Sequence, residues 1–135
     1  MTTVTLAHNY LMKATKRLKI LPVLLAEDDF SDVVREAQEI VELAQKGMLR
    51  WIGIDPPKWH DVGDILLEHA GKFPGQVQAA LPELARISKR LRKERELSFY
   101  GDIDFLPAEE YSGEDAREAI AQAEYVVRIA AEVVR

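Results

Sequence analysis

The feature that most constrains this chain is a set of apolar stripes that repeat every three or four residues. The longest runs through Val34, Ala37, Val41, Ala44 and Met48 to Trp51 or Ile52. An interval of that size returns to one side of a helix at about 100° per residue, whereas a half-buried strand would need strict alternation. The other side carries Glu36, Glu39, Glu42 and Lys46, which water can solvate. GIDPP, residues 53–57, ends the pattern: Gly53 suits a C-terminal cap, and the prolines forbid continuation.

The same spacing recurs on both sides of this segment. Upstream, Ala7, Leu11, Ala14, Leu18, Leu21 and Leu25 form a stripe that contains Pro22. The stripe stays in phase past the proline, which predicts one helix over about Val4 to Glu27 with a kink near Pro22. A stop at Leu21 followed by a turn is the alternative. Asp28 to Ser31 form the break, with Ser31 or Asp29 placed to cap the next helix and Asp32 placed to favour its dipole.

Downstream, Val62, Ile65, Leu66 and Ala70 predict a shorter helix over roughly Trp59 to Ala70, with Asp61 in its cap region. Gly71, Pro74 and Gly75 punctuate it. Pro82 suits a first turn, so the fourth helix is predicted from about Pro82 to Tyr100, followed by a loop over 103–111. Ser112 with Asp115 resembles a capping box for a last helix with Ala116, Ile120, Ala123, Val127, Ala130 and Val134 inward. Five such stripes with short connections predict an all-α, antiparallel up-and-down bundle of about five helices, with residues 1–135 as a single domain.

Composition removes several functions. There is no cysteine, hence neither disulfide nor thiolate chemistry. His8, His60 and His69 are scattered and fit no metal-ligand motif. No glycine-rich phosphate loop is present, and spacing assembles no serine triad. No apolar run reaches membrane-spanning length and the first residues lack the apolar core of a leader, so a cytoplasmic protein without membrane attachment is expected. The net charge of −5 argues against a general nucleic-acid coat. A local basic strip, Arg86 to Arg95, nevertheless stands on the fourth predicted helix.

On that helix Leu84, Ile87, Leu91 and Ser98 share a side, and Arg95 falls in the middle of it. Arg86, Lys89, Arg90 and Lys93 cluster opposite, where a solvated face explains them as well as phosphate contact does. A guanidinium centred on an apolar stripe is costly without acceptors. Arg95 therefore pairs with a carboxylate or lines a polar cleft that a ligand fills. Guanidinium offers paired donors to phosphate oxygens. Tyr100 could stack on a base or donate a hydrogen bond, and Asp102 could pair with Arg95 or Arg92. The candidate ligand-binding set is Arg92, Lys93, Arg95, Glu96, Ser98, Tyr100 and Asp102.

The blocks YLMKATKRL, FSDVVREAQEIVELAQKGML, GIDPPKWHDVGDILLE, RKERELSFYGD and YSGEDAREAIAQAEYVV, in this order and spacing, resemble a HEPN domain (higher eukaryotes and prokaryotes nucleotide-binding) over nearly the whole length. The resemblance implies a compact bundle that usually dimerises, with the fourth-helix motifs of two protomers facing a shared cleft. It also implies nucleotide or RNA as ligand, no cofactor, and a setting in which many members are metal-independent ribonuclease toxins paired with a small nucleotidyltransferase. The active motif of those members is an arginine, four to six residues, then a histidine. Here Arg95 matches the arginine, four residues follow, and Tyr100 stands next. No histidine lies after His69. Metal-free RNA cleavage needs a group that moves a proton near neutral pH, which histidine does well and tyrosine poorly. Three readings follow: a dimeric nucleotide- or RNA-binding protein; a ribonuclease in which Tyr100 or Glu96 replaces the histidine; or a protein-interaction module without ligand. Some toxin members are silenced by AMP addition to a tyrosine beside the motif, for which Tyr100 is the counterpart the resemblance offers.

Overall fold

The computed structural model describes residues 2–58, 61–100 and 111–135, the side chains of 93–100 excepted. Six α-helices account for most of them: α1 (Thr3–Arg17), α2 (Leu21–Ala26), α3 (Phe30–Trp51), α4 (Val62–Glu68), α5 (Gly75–Tyr100) and α6 (Gly113–Val133). They form an all-α antiparallel bundle, and no strand occurs among the described residues.

The first stripe is divided where the proline predicts trouble. Thr2 caps α1 by accepting from the Thr5 N–H at 3.0 Å, and Lys16 and Arg17 complement the negative end of its dipole. A 3₁₀ turn, Leu18–Ile20, then leads into α2, where Pro22 occupies the first turn and needs no donor. The apolar phase survives this join: Ala7, Ala14 and Leu21 are each fully buried.

α3 is the central rod. It packs against α1 and α2 on one side and against α5 and α6 on the other. Val33, Ile40 and Leu49 are buried together with the predicted Val34, Ala37, Val41, Ala44 and Met48, so its apolar arc is wider than one stripe. Its C-terminus is closed by two hydrogen bonds, Gly53 N–H to the Arg50 carbonyl at 3.1 Å and Ile54 N–H to the Leu49 carbonyl at 2.9 Å. Gly53 has φ +83°, which a side chain would disfavour.

α5 begins seven residues earlier than the proline predicts, at Gly75 and not at Pro82. Val77, Leu81, Leu84, Ile87 and Leu91 run along it as one buried stripe. Burial of Val77 and Leu81 outweighs the single backbone bond that Pro82 removes, and the ring itself lies at the surface. α4 is shorter than predicted: Asp61 caps it, Ala70 belongs to a following 3₁₀ turn, and Trp59 and His60 lie outside the described residues. α4 approaches α5 closely at Gly63, where a Cβ would come within 2.8 Å of Ala85 Cα. Ser112 and Asp115 form the predicted capping box of α6, with reciprocal bonds of 3.1 and 3.0 Å.

Candidate functional site

The stripe on α5 is buried as read: Leu84, Ile87 and Leu91 are at most 2 % exposed. The backbone stays helical through Tyr100, so Arg95 falls one turn beyond Leu91 in the same register. Arg92 is half-buried and is not a free cation. Lys93, Arg95, Glu96, Ser98 and Tyr100 occupy the last two turns of α5, and their side chains lie outside the described set. Asp102 lies outside the described residues altogether.

The base of this segment is held from two sides. The Asp61 carboxylate accepts from the Gly63 N–H at 2.9 Å and from the Ser88 hydroxyl at 3.2 Å, tying the start of α4 to α5. Asp61 is therefore a cap and a tether, as its position before the α4 stripe predicts. On the other side, Arg90 donates to Gln122 of α6 at 2.7 Å and pairs with Glu118 at 3.2 Å. Of the cations read as one solvated face, Arg86 is exposed, Arg90 is half-buried, and the Lys93 side chain lies outside the described set. Arg90 bridges to α6, and Arg86 is engaged by Glu83, whose hydrogen bond and then charge raise the guanidinium pKa. Lys89 is exposed.

A groove of about 400 Å³ runs between α5 and α6, lined by Glu83, Ile87, Glu118, Ala121, Gln122 and Tyr125. The guanidinium of Arg128 lies 5.3 Å from the Tyr125 ring centroid, within cation–π range. Sequence reasoning missed this groove. The signal was there, in Glu118, Gln122 and Tyr125 at four- and three-residue spacing on the outer side of α6. Its two carboxylates are paired with arginines of α5, Glu83 with Arg86 and Glu118 with Arg90.

The two described histidines lie elsewhere in the bundle. His8 lies on α1 with Nε2 3.0 Å from the Arg135 carbonyl and its ring 5.7 Å from Trp51, and His69 ends α4. His60 lies outside the described residues. Among the described residues no group of histidine and carboxylate side chains could hold a metal ion, and no helix is long and apolar enough to cross a membrane.

The described residues thus form an all-α bundle in which the long helix α5 carries a strip of basic residues. The model of the HEPN domain family matches residues 7–133, and the chain belongs to that family. No curated protein and no solved structure gives a match.

Proposed function

We propose that this chain is a dimeric HEPN protein that binds a nucleotide or RNA through the C-terminal turns of α5. Arg95 holds a phosphate, Arg92 and Lys93 assist it, Tyr100 stacks on a base, and Ser98, Glu96 and Asp102 complete the polar rim. The observation that supports this reading is the uninterrupted helix from Gly75 to Tyr100, which carries the buried Leu84–Ile87–Leu91 stripe directly into the Arg95 register. A shared groove between two copies gives a guanidinium in that register both water and acceptors, which a dry core denies. A small nucleotidyltransferase as partner, in the manner of a toxin–antitoxin pair, is the setting that family membership favours. Binding is favoured over efficient cleavage, because Tyr100 stands where the ribonuclease motif has its histidine and tyrosine moves a proton poorly near neutral pH.

Titration of a labelled RNA oligomer and of ATP, with chelator present, tests this. Wild type is expected to bind with an affinity that falls steeply with salt. Arg95→Ala is expected to bind about tenfold or more weakly, the loss of a charge-assisted hydrogen bond. Equal affinity removes Arg95 from the site. RNA cleavage by wild type that Arg95→Ala lacks moves the protein to the ribonuclease reading. A strict monomer at micromolar concentration rejects the shared groove.

A further inference from the structure

The most unusual surface lies away from α5, on α1 and α2. Five large apolar side chains are exposed among the described residues, and four belong to this segment: Val4 at 46 %, Met12 at 48 %, Ile20 at 44 % and Val23 at 62 %. The same segment is wholly basic. Between Thr2 and Ala26 stand Lys13, Lys16, Arg17 and Lys19 and not one carboxylate, in a chain of net charge −5. Arg17 is committed to α3, 3.5 Å from Glu36 and 4.0 Å from Glu39. Lys13, Lys16 and Lys19 are exposed and make no ion pair among the described residues.

These residues share a face. Met12, Lys16, Lys19 and Val23 follow at intervals of four, three and four, and Lys13 and Ile20 flank them. The opposite side of the same two helices holds Ala7, Ala14 and Leu21 in the core. α1 packs chiefly on α3, which leaves its outer side without a neighbour.

We propose that this outer face is a docking surface for an acidic amphipathic helix of a partner protein. The inference stands independently of the α5 site. The intervals of four, three and four average about 3.7 residues, close to the helical repeat, so the exposed strip runs lengthwise along the segment and a second helix can lie beside it. Apolar side chains at both ends of the strip supply the contact, and the uncompensated lysines between and beside them select carboxylates. A phosphate backbone would satisfy the lysines and leave Met12, Ile20 and Val23 uncovered. A bilayer surface calls for a broad apolar face, and here Lys16 and Lys19 occupy the middle of the strip.

The test uses the whole chain and a synthetic helical peptide with leucines at alternating three- and four-residue spacing and glutamates beside them. Saturable binding is expected, with amide shifts on titration confined to α1 and α2. Lys16→Glu with Lys19→Glu should weaken it about tenfold or more. Met12→Ser with Val23→Ser should also weaken it. Both double variants should keep the wild-type thermal melt, since all four side chains are exposed. The proposal is overturned by no binding, by equal binding to the charge-reversed protein, or by equal binding of a peptide with lysines in place of the glutamates. Tighter binding of phosphatidylserine vesicles or of a single-stranded RNA oligomer at this face also overturns it. So does self-association that the lysine reversals abolish, which would give the face to a second copy.

Discussion

Two basic regions of this bundle look alike in sequence and differ in structure. The strip on α5 is threaded with carboxylates, and its cations are largely engaged: Arg86 by Glu83, Arg90 by Glu118 and Gln122. The strip on α1 and α2 has no carboxylate of its own, and three lysines stand unpaired among the described residues beside exposed apolar side chains. Charge in the first region builds the protein, joining α5 to α6. In the second only Arg17 is spent inside the molecule, on Glu36 and Glu39 of α3. Counting lysines and arginines would rank the two alike, and only their partners separate them.

The sharpest way to break this contrast is to truncate one apolar residue in each region. Leu91 is fully buried on α5, so Leu91→Ala should cost about 2–5 kcal/mol in urea unfolding. Met12→Ala, at a position 48 % exposed, should change stability by less than about 0.5 kcal/mol. Similar losses would mean that the outer face of α1 is covered. Next in size, Gly63→Ala places a Cβ 2.8 Å from Ala85 Cα and should cost about 1–3 kcal/mol by forcing α4 off α5. A neutral outcome would show that this crossing gives way easily.

Smaller effects test the charges themselves. Arg90→Ala should destabilise by about 0.5–1 kcal/mol, the loss shrinking at high salt, because the pair with Glu118 is only partly shielded from water. Lys16→Ala should be silent in the same assay. The smallest effect lies where carboxylates return after the basic segment. The Asp29 carboxyl is held above its ordinary pKa by a hydrogen bond shared with Asp32, by partial burial and by the Asp32 charge, with Arg35 opposing. A raised folded-state pKa favours the neutral acid. Its stabilisation is complete below the unfolded-state pKa and is lost as pH rises through the folded-state value. At neutral pH the two carboxylates repel, so Asp29→Asn should stabilise by a few tenths of a kcal/mol. That gain should vanish as the solution is acidified through the carboxylate range; a gain that persists there would assign the effect to capping.

The fold was legible because its stripes are long and obey one period. Val34 to Met48 and Leu84 to Leu91 are buried as their spacing predicts, and so is the stripe from Ala116 to Ala130 apart from Ile120, which is half-buried. The capping box at Ser112 and the glycine closure at Gly53 were legible because each rests on local chemistry. The start of α5 was misread because Pro82 signals a helix start locally, while Val77 and Leu81 are held in the helix by tertiary burial. The site was legible only as residue types. Spacing could place Arg95 and Tyr100 on one helix, but it could not show that Arg90 reaches across to α6, since that partner is 28 to 32 residues away. The open face of α1 was legible as one half of an amphipathic pattern, and its exposed half carried no local signal until α3 was seen to cover just one side.

Gln45 has a consequence for how the bundle can move. Its side chain is fully buried on α3, and its amide donates to the Leu84 carbonyl of α5 at 3.1 Å. Rods coated only with leucine and alanine can slide lengthwise by a turn at little cost, since one methyl replaces another. A dry amide locked to one carbonyl cannot follow such a slip without losing its acceptor. α5 is thereby pinned at a fixed height against α3, and a movement of α5 that keeps this bond is a bend or a rotation, not a piston stroke.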